Sequence, residues 1–149
     1  MINNFLPDNY KNITKISIID AKKVFYPLKY VIEKRDILID EDSALTILPL
    51  PEDIKYPSNT KITDAGMLWD YKLEISINNQ NPITEAELLK NVNKKVIVVF
   101  HHNDGKIIFG CNEMPLQFLY GDDNTSNPAT HCGYSVECRG NSYFSKVST

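Results

Sequence analysis

Glycine is scarce in this sequence, six residues in 149. Phosphate-cradling loops are built on glycines that let the backbone approach the ligand closely. None of the patterns G-x-x-x-x-G-K, G-x-G-x-x-G or G-x-S-x-G occurs. Cysteine is also sparse. Cys111, Cys132 and Cys138 are an odd number with no C-x-x-C pair, so free thiols are the expected state rather than a disulfide framework. There is no excess of positive charge. The formal net charge is −3, which disfavours the concentrated basic surface that nonspecific nucleic-acid binding needs. No apolar run approaches the roughly 20 residues of a membrane-spanning helix. The opening residues, MINNFLPDNYKN, have neither the basic nor the apolar block of a signal peptide.

What is present is a long alternating stretch, Met67 to Asn78. Met67, Trp69, Tyr71, Leu73, Ile75 and Ile77 are apolar or aromatic; Asp70, Lys72, Glu74, Ser76 and Asn78 between them are polar. Successive strand side chains point to opposite faces, so the pattern predicts one strand, dry on one side and wet on the other. Trp69, Tyr71 and Leu73 are the candidates for core or subunit interface. At about 3.3 Å per residue the strand spans roughly 40 Å, well beyond the usual length. It should overhang the core or change neighbours along its length.

Residues 1–149 read as one domain, with residues 1–12 as a loose N-terminal arm. Ile13 to Ile19 is β-branched and predicts a first strand. Val24–Tyr26 and Tyr30–Ile32, on either side of Pro27, predict one or two short strands, and Ala44 to Leu48 another. Residues 40–65 carry Pro49, Pro51 and Pro57 among many polar residues and read as a long loop excursion with room for a strand pair inside it. One helix is expected, from about Glu85 to Val92, with Thr84 as its cap in a T-x-x-E box and Ile83 and Leu88 at staple spacing. Val96 to Phe100 is apolar throughout, the mark of a strand buried on both faces. A two-residue turn at Asp104-Gly105 would set Phe100 opposite Phe109. Leu116, Phe118 and Tyr120 predict a strand before a polar loop at 121–130. Tyr134, Val136 and Cys138 predict the last strand, and residues 141–149 read as a polar tail. The fold class is mainly β, a β-sandwich or partly rolled antiparallel sheet with one short α-helix.

No constellation points to catalysis. His101 and His102 are adjacent on a strand and face opposite ways, so they do not share a metal. Cys132 and Cys138 lie about 20 Å apart on a regular strand, too far for one zinc with His131. The carboxylates Asp40, Glu41, Asp42, Asp122 and Asp123 read as solvated loop charge. No catalytic residue, metal or cofactor is expected.

Thr63-Asp-Ala-Gly66 entering the long strand, LLKNVNKKVIVVFHHNDGKIIFG (Leu88 to Gly110), Glu113-Met-Pro-Leu116 and GYSVECRG (Gly133 to Gly140) together resemble small structural proteins of phages and prophages infecting Bacteroidetes. The resemblance covers Thr63 to Gly140 as an ordered pattern. It implies a tail-tube-like fold repeated as a ring, in the tail or head–tail neck of a virion. It also implies synthesis in the bacterial host cytoplasm. The implied partners are copies of the chain and other tail or neck proteins. In such a ring the even face of the long strand, Asp70, Lys72 and Glu74, is the candidate lumen surface of a passive DNA channel. The alternative is a carbohydrate- or protein-binding β-sandwich module, which would group exposed aromatics on one surface.

Overall fold

A computed structural model describes residues 12–49, 54–123 and 133–149. The expected N-terminal arm lies outside them, apart from Asn12. The chain forms β1 (Ile13–Asp20), a single 3-10 turn (Ala21–Lys23), α1 (Leu28–Ile32), β2 (Leu45–Ile47), β3 (Ile54–Lys55), β4 (Ser58–Thr63) and β5 (Gly66–Ile77). It continues with α2 (Pro82–Leu89), β6 (Lys95–His102), β7 (Gly105–Phe109), β8 (Leu116–Asp123), β9 (Gly133–Ser142) and β10 (Val147–Ser148). Every strand pair is antiparallel.

The strands join in one sheet that forks at β6. One edge of β6 is held by β1 along nearly its whole length. On the other edge β8 pairs with Lys95 and Val96, and β7 takes over from Val98 to His102. One branch runs β7–β10; the other runs β8–β9–β5 and ends on β3 and β4. The branches roll over each other. Tyr71 on β5 and Phe109 on β7 are not on paired strands, yet their rings meet edge to face with centroids 5.5 Å apart.

Two apolar clusters result, and β6 serves both. Val96, Val98 and Phe100 face Tyr71, Leu73 and Ile75 of β5 and Val136 and Cys138 of β9. Ile97 and Val99 face the other way, toward Tyr26, Val31, Ile37 and Val147. All five β6 residues are fully buried, as the unbroken apolar run required.

Several expectations need correction. Val24–Tyr26 and Tyr30–Ile32 are not strands: Tyr30–Ile32 falls within α1, with Pro27 as its N-cap at φ −72°. The backbone groups that a strand partner would have taken go to one side chain. Asn112 accepts from the Tyr26 N–H and donates to the carbonyls of Ala21 at 2.8 Å and Val24 at 2.9 Å. The 40–65 excursion contains the strands β2, β3 and β4. β2 falls within the Ala44–Leu48 prediction, and β4 pairs along β5 through the two-residue turn Asp64-Ala65. Thr63 closes that turn by donating its hydroxyl to the Gly66 carbonyl at 2.8 Å, and Gly66 sits at φ +112°. The 141–149 tail is partly strand. β9 runs on to Ser142, and β10 pairs with β7 with Val147 buried. β8 likewise extends to Asp123, into the expected polar loop.

The helix starts earlier than predicted. Asn81, not Thr84, caps α2: its side chain accepts from the Thr84 N–H at 2.9 Å, and Pro82 fills the first turn. Ile83 is exposed and makes no staple; Leu88 is the residue α2 buries. The β6–β7 turn is Asn103-Asp104, since His102 pairs with Gly105, so Phe100 lies opposite Ile107 and Phe109 opposite Val98. Gly105 is needed elsewhere. Its φ is +151°, and a Cβ there would fall 1.9 Å from the Thr149 carbonyl oxygen.

Candidate functional site

β5 runs Gly66–Ile77, one residue ahead of the predicted span, and does both things its length required. It changes neighbours: β9 pairs with Trp69–Ile77 on one edge, while β4 and then β3 hold the other. It also overhangs. Gly66, Met67 and Leu68 pair with β4 alone. On this projecting hairpin Ile62 and Met67 are register partners, and they are 90% and 53% exposed.

The dry face holds the three core candidates. Leu73 and Tyr71 are buried, and Trp69 is half-buried against the same cluster. The Tyr71 hydroxyl donates to the Phe144 carbonyl at 2.8 Å, and burial pushes its phenol up to about 12. The wet face carries Asp70, Lys72 and Glu74 beside Asn141, Arg139 and Glu137 of β9. Lys72 Nζ lies 3.3 Å from Glu74 and 3.7 Å from Glu137, and Arg139 Nε donates to Glu137 at 2.6 Å. Glu74 sits opposite Glu137 and Lys72 opposite Arg139, so the ion pairs form along the diagonal and along the strand. These pairs are solvent-exposed and each contributes little to stability. The face is a hydrated surface of three carboxylates against two cations.

The remaining candidates are dispersed. His101 and His102 point to opposite faces. His101 Nε2 shares a hydrogen bond with Ser17 Oγ at 3.1 Å, and burial together with Lys15 and Lys106 lowers its pKa. His102 Nδ1 accepts from the Asp104 N–H at 3.1 Å. Burial raises the thiol of Cys111 and pushes that of Cys138 up to about 12, the opposite of an activated nucleophile. His131 and Cys132 lie outside the described residues. Among the described residues no three His, Cys, Asp or Glu side chains converge as a metal site. Glu41 pairs with Lys15 at 3.0 Å, and Asp40 accepts from the Asp42 N–H at 3.1 Å. Asp122 is exposed on β8.

Three lysines, Lys23, Lys90 and Lys94, share a groove of about 540 Å³ with Asp42 and Glu87. The residue that sequence reasoning missed altogether is Asn112. An asparagine after Gly-Cys gives no signal of the three backbone groups it will bind 86, 88 and 91 residues away in the chain.

Comparison with protein-family models, with curated proteins and with solved structures returned no match. Among the described residues no helix is long and apolar enough to cross a membrane.

Proposed function

We propose that the chain is a non-enzymatic structural subunit that forms a ring in a phage tail or head–tail neck. The observation that carries this reading is the β4–β5 overhang. A hairpin that outruns its sheet and ends on two large exposed apolar side chains is costly in a monomer and useful in an assembly. The partners are then copies of the chain and neighbouring tail or neck proteins, and the location is the virion. The wet face of β5 and β9 suits the wall of a passive DNA channel, since carboxylates repel phosphate and the two cations are already paired.

Sedimentation velocity and negative-stain microscopy of the purified chain test the assembly. The expected result is a ring of fixed copy number. A chain that stays monomeric at its highest soluble concentration and binds glycans would replace this reading with the carbohydrate-binding module. Glu74→Lys tests the channel wall separately. It inverts the balance of the wet face to three cations against two carboxylates and should impair DNA delivery with the fold intact. Delivery equal to the parent's removes the channel assignment and leaves the ring.

A further inference from the structure

His101 stands in the middle of a row that crosses three adjacent strands. Its register partner on β1 is Lys15 and its partner on β7 is Lys106, so all three side chains leave the sheet on one face. Both lysines are tied to the segment between α1 and β2. Lys15 Nζ lies 3.0 Å from Glu41, and Lys106 Nζ lies 3.2 Å from Asp36. Ile37, between the two anchors in sequence, is buried in the second cluster. The lysine side chains are 30% and 28% exposed, so water screens their charge only in part. On the same face Ser17, fully buried, shares its hydroxyl with His101 Nε2 at 3.1 Å. A neutral imidazole can accept from that hydroxyl. A protonated one can only donate, and the buried hydroxyl hydrogen must then find another acceptor. Protonation also completes an unbroken line of three cations, set against two carboxylates that are each already engaged by a lysine.

We infer that the Lys15–His101–Lys106 row is an acid-sensitive latch, closed while the imidazole is neutral, whose protonation loosens the hold of the sheet on residues 36–41. The inference stands apart from the ring reading. The charges that act on His101 are Lys15 on β1, Lys106 on β7, and Glu41 and Asp36 on the latched segment. Burial first, then the two lysines, hold its pKa below 6.5 against the weaker pull of the two carboxylates. The unfolded chain therefore takes up this proton first as acid is added. The stability carried by the neutral imidazole is complete above pH 6.5 and is lost as pH falls below it.

The test is an NMR titration of the full chain, with amide exchange over residues 36–41 followed in parallel. The assigned His101 imidazole should titrate below pH 6.5, and Lys15→Met and Lys106→Met should each shift it upward. Amide protection of residues 36–41, corrected for intrinsic exchange, should fall as the imidazole protonates. His101→Gln keeps a hydrogen-bonding side chain beside Ser17 without the titration, so it should lose that acid step. An imidazole that titrates at or above 6.5, or that neither lysine variant moves, overturns the role of the row. Protection that stays constant through the titration, or an acid step that survives in His101→Gln, overturns the latch. If His101→Gln fails to fold, the parent titration and the two lysine variants decide the matter.

Discussion

Replacing Asn112 by alanine removes a side chain that binds the Ala21–Tyr26 segment at three backbone groups over the second cluster. Three hydrogen bonds disappear together: one accepted from the Tyr26 N–H and two donated to the carbonyls of Ala21 and Val24. The Asn112 backbone N–H still donates to the Tyr26 carbonyl at 2.9 Å, so the loop keeps one anchor. Each lost bond is worth about 1 kcal/mol, because the freed groups are only partly rescued by water. The expected loss is about 3 kcal/mol, or a fall in Tm of roughly 6–12 °C for a chain of this size. Asn112→Asp is the sharper control. It keeps the acceptor for Tyr26 but sets a carboxylate oxygen against two carbonyl oxygens, so it should be at least as damaging as alanine. Urea denaturation gives the energies, and amide exchange at Tyr26 locates them. A loss for Asn112→Ala below about 1 kcal/mol, or an aspartate variant as stable as the parent, would refute this account of the segment.

Asn81→Ala should cost about 1 kcal/mol, and Thr84→Ala should cost much less, because Asn81 supplies the capping oxygen; equal melts for the two variants would contradict the cap assignment. Gly105→Ala should detach β10, since its Cβ would collide with the Thr149 carbonyl oxygen; loss of amide protection at Thr149, which donates to the Lys106 carbonyl at 2.9 Å, reports it. Leu73→Asp should abolish soluble folding, because it buries a charge in the first cluster; a soluble, cooperatively melting variant would mean that β5 does not bury its odd face. Burial pushes the phenols of Tyr26 and Tyr71 up to about 12 from 10.0, with Asp36 adding to the shift at Tyr26. A raised folded pKa means that the folded state holds its protons longer. Stability is thus complete below pH 10.0 and falls as pH rises toward about 12. Tyr71→Phe should flatten part of that fall in urea midpoints measured across the window, and a parent whose midpoint does not move there would refute it.

The local pattern determined a good deal on its own. The alternation of Trp69 to Ile77 fixed which face of β5 is dry, because a one-residue slip would expose Tyr71, Leu73 and Ile75 together, whereas Met67, at the overhang, is exposed. The unbroken apolar run Val96–Phe100 required a strand covered on both sides. The class of fold follows from those two segments and the β-branched Ile13–Ile19. Other features were decided only by tertiary contacts. The β6–β7 register places Gly105 after the turn rather than in it, against Thr149 from the far end of the sequence. Val24–Ile32 has the composition of strand, but Asn112 took the backbone groups of Ala21, Val24 and Tyr26 and left no ladder for a partner. β4 has no apolar alternation of its own, with Asn59, Thr60 and Lys61 all exposed. It is a strand because the Asp64-Ala65 turn folds it back along β5. The pairing of Ile62 with Met67 on the overhang was therefore invisible in the sequence. Two apolar residues five apart become neighbours only once the hairpin closes, and their exposure exists only because β9 stops short of them.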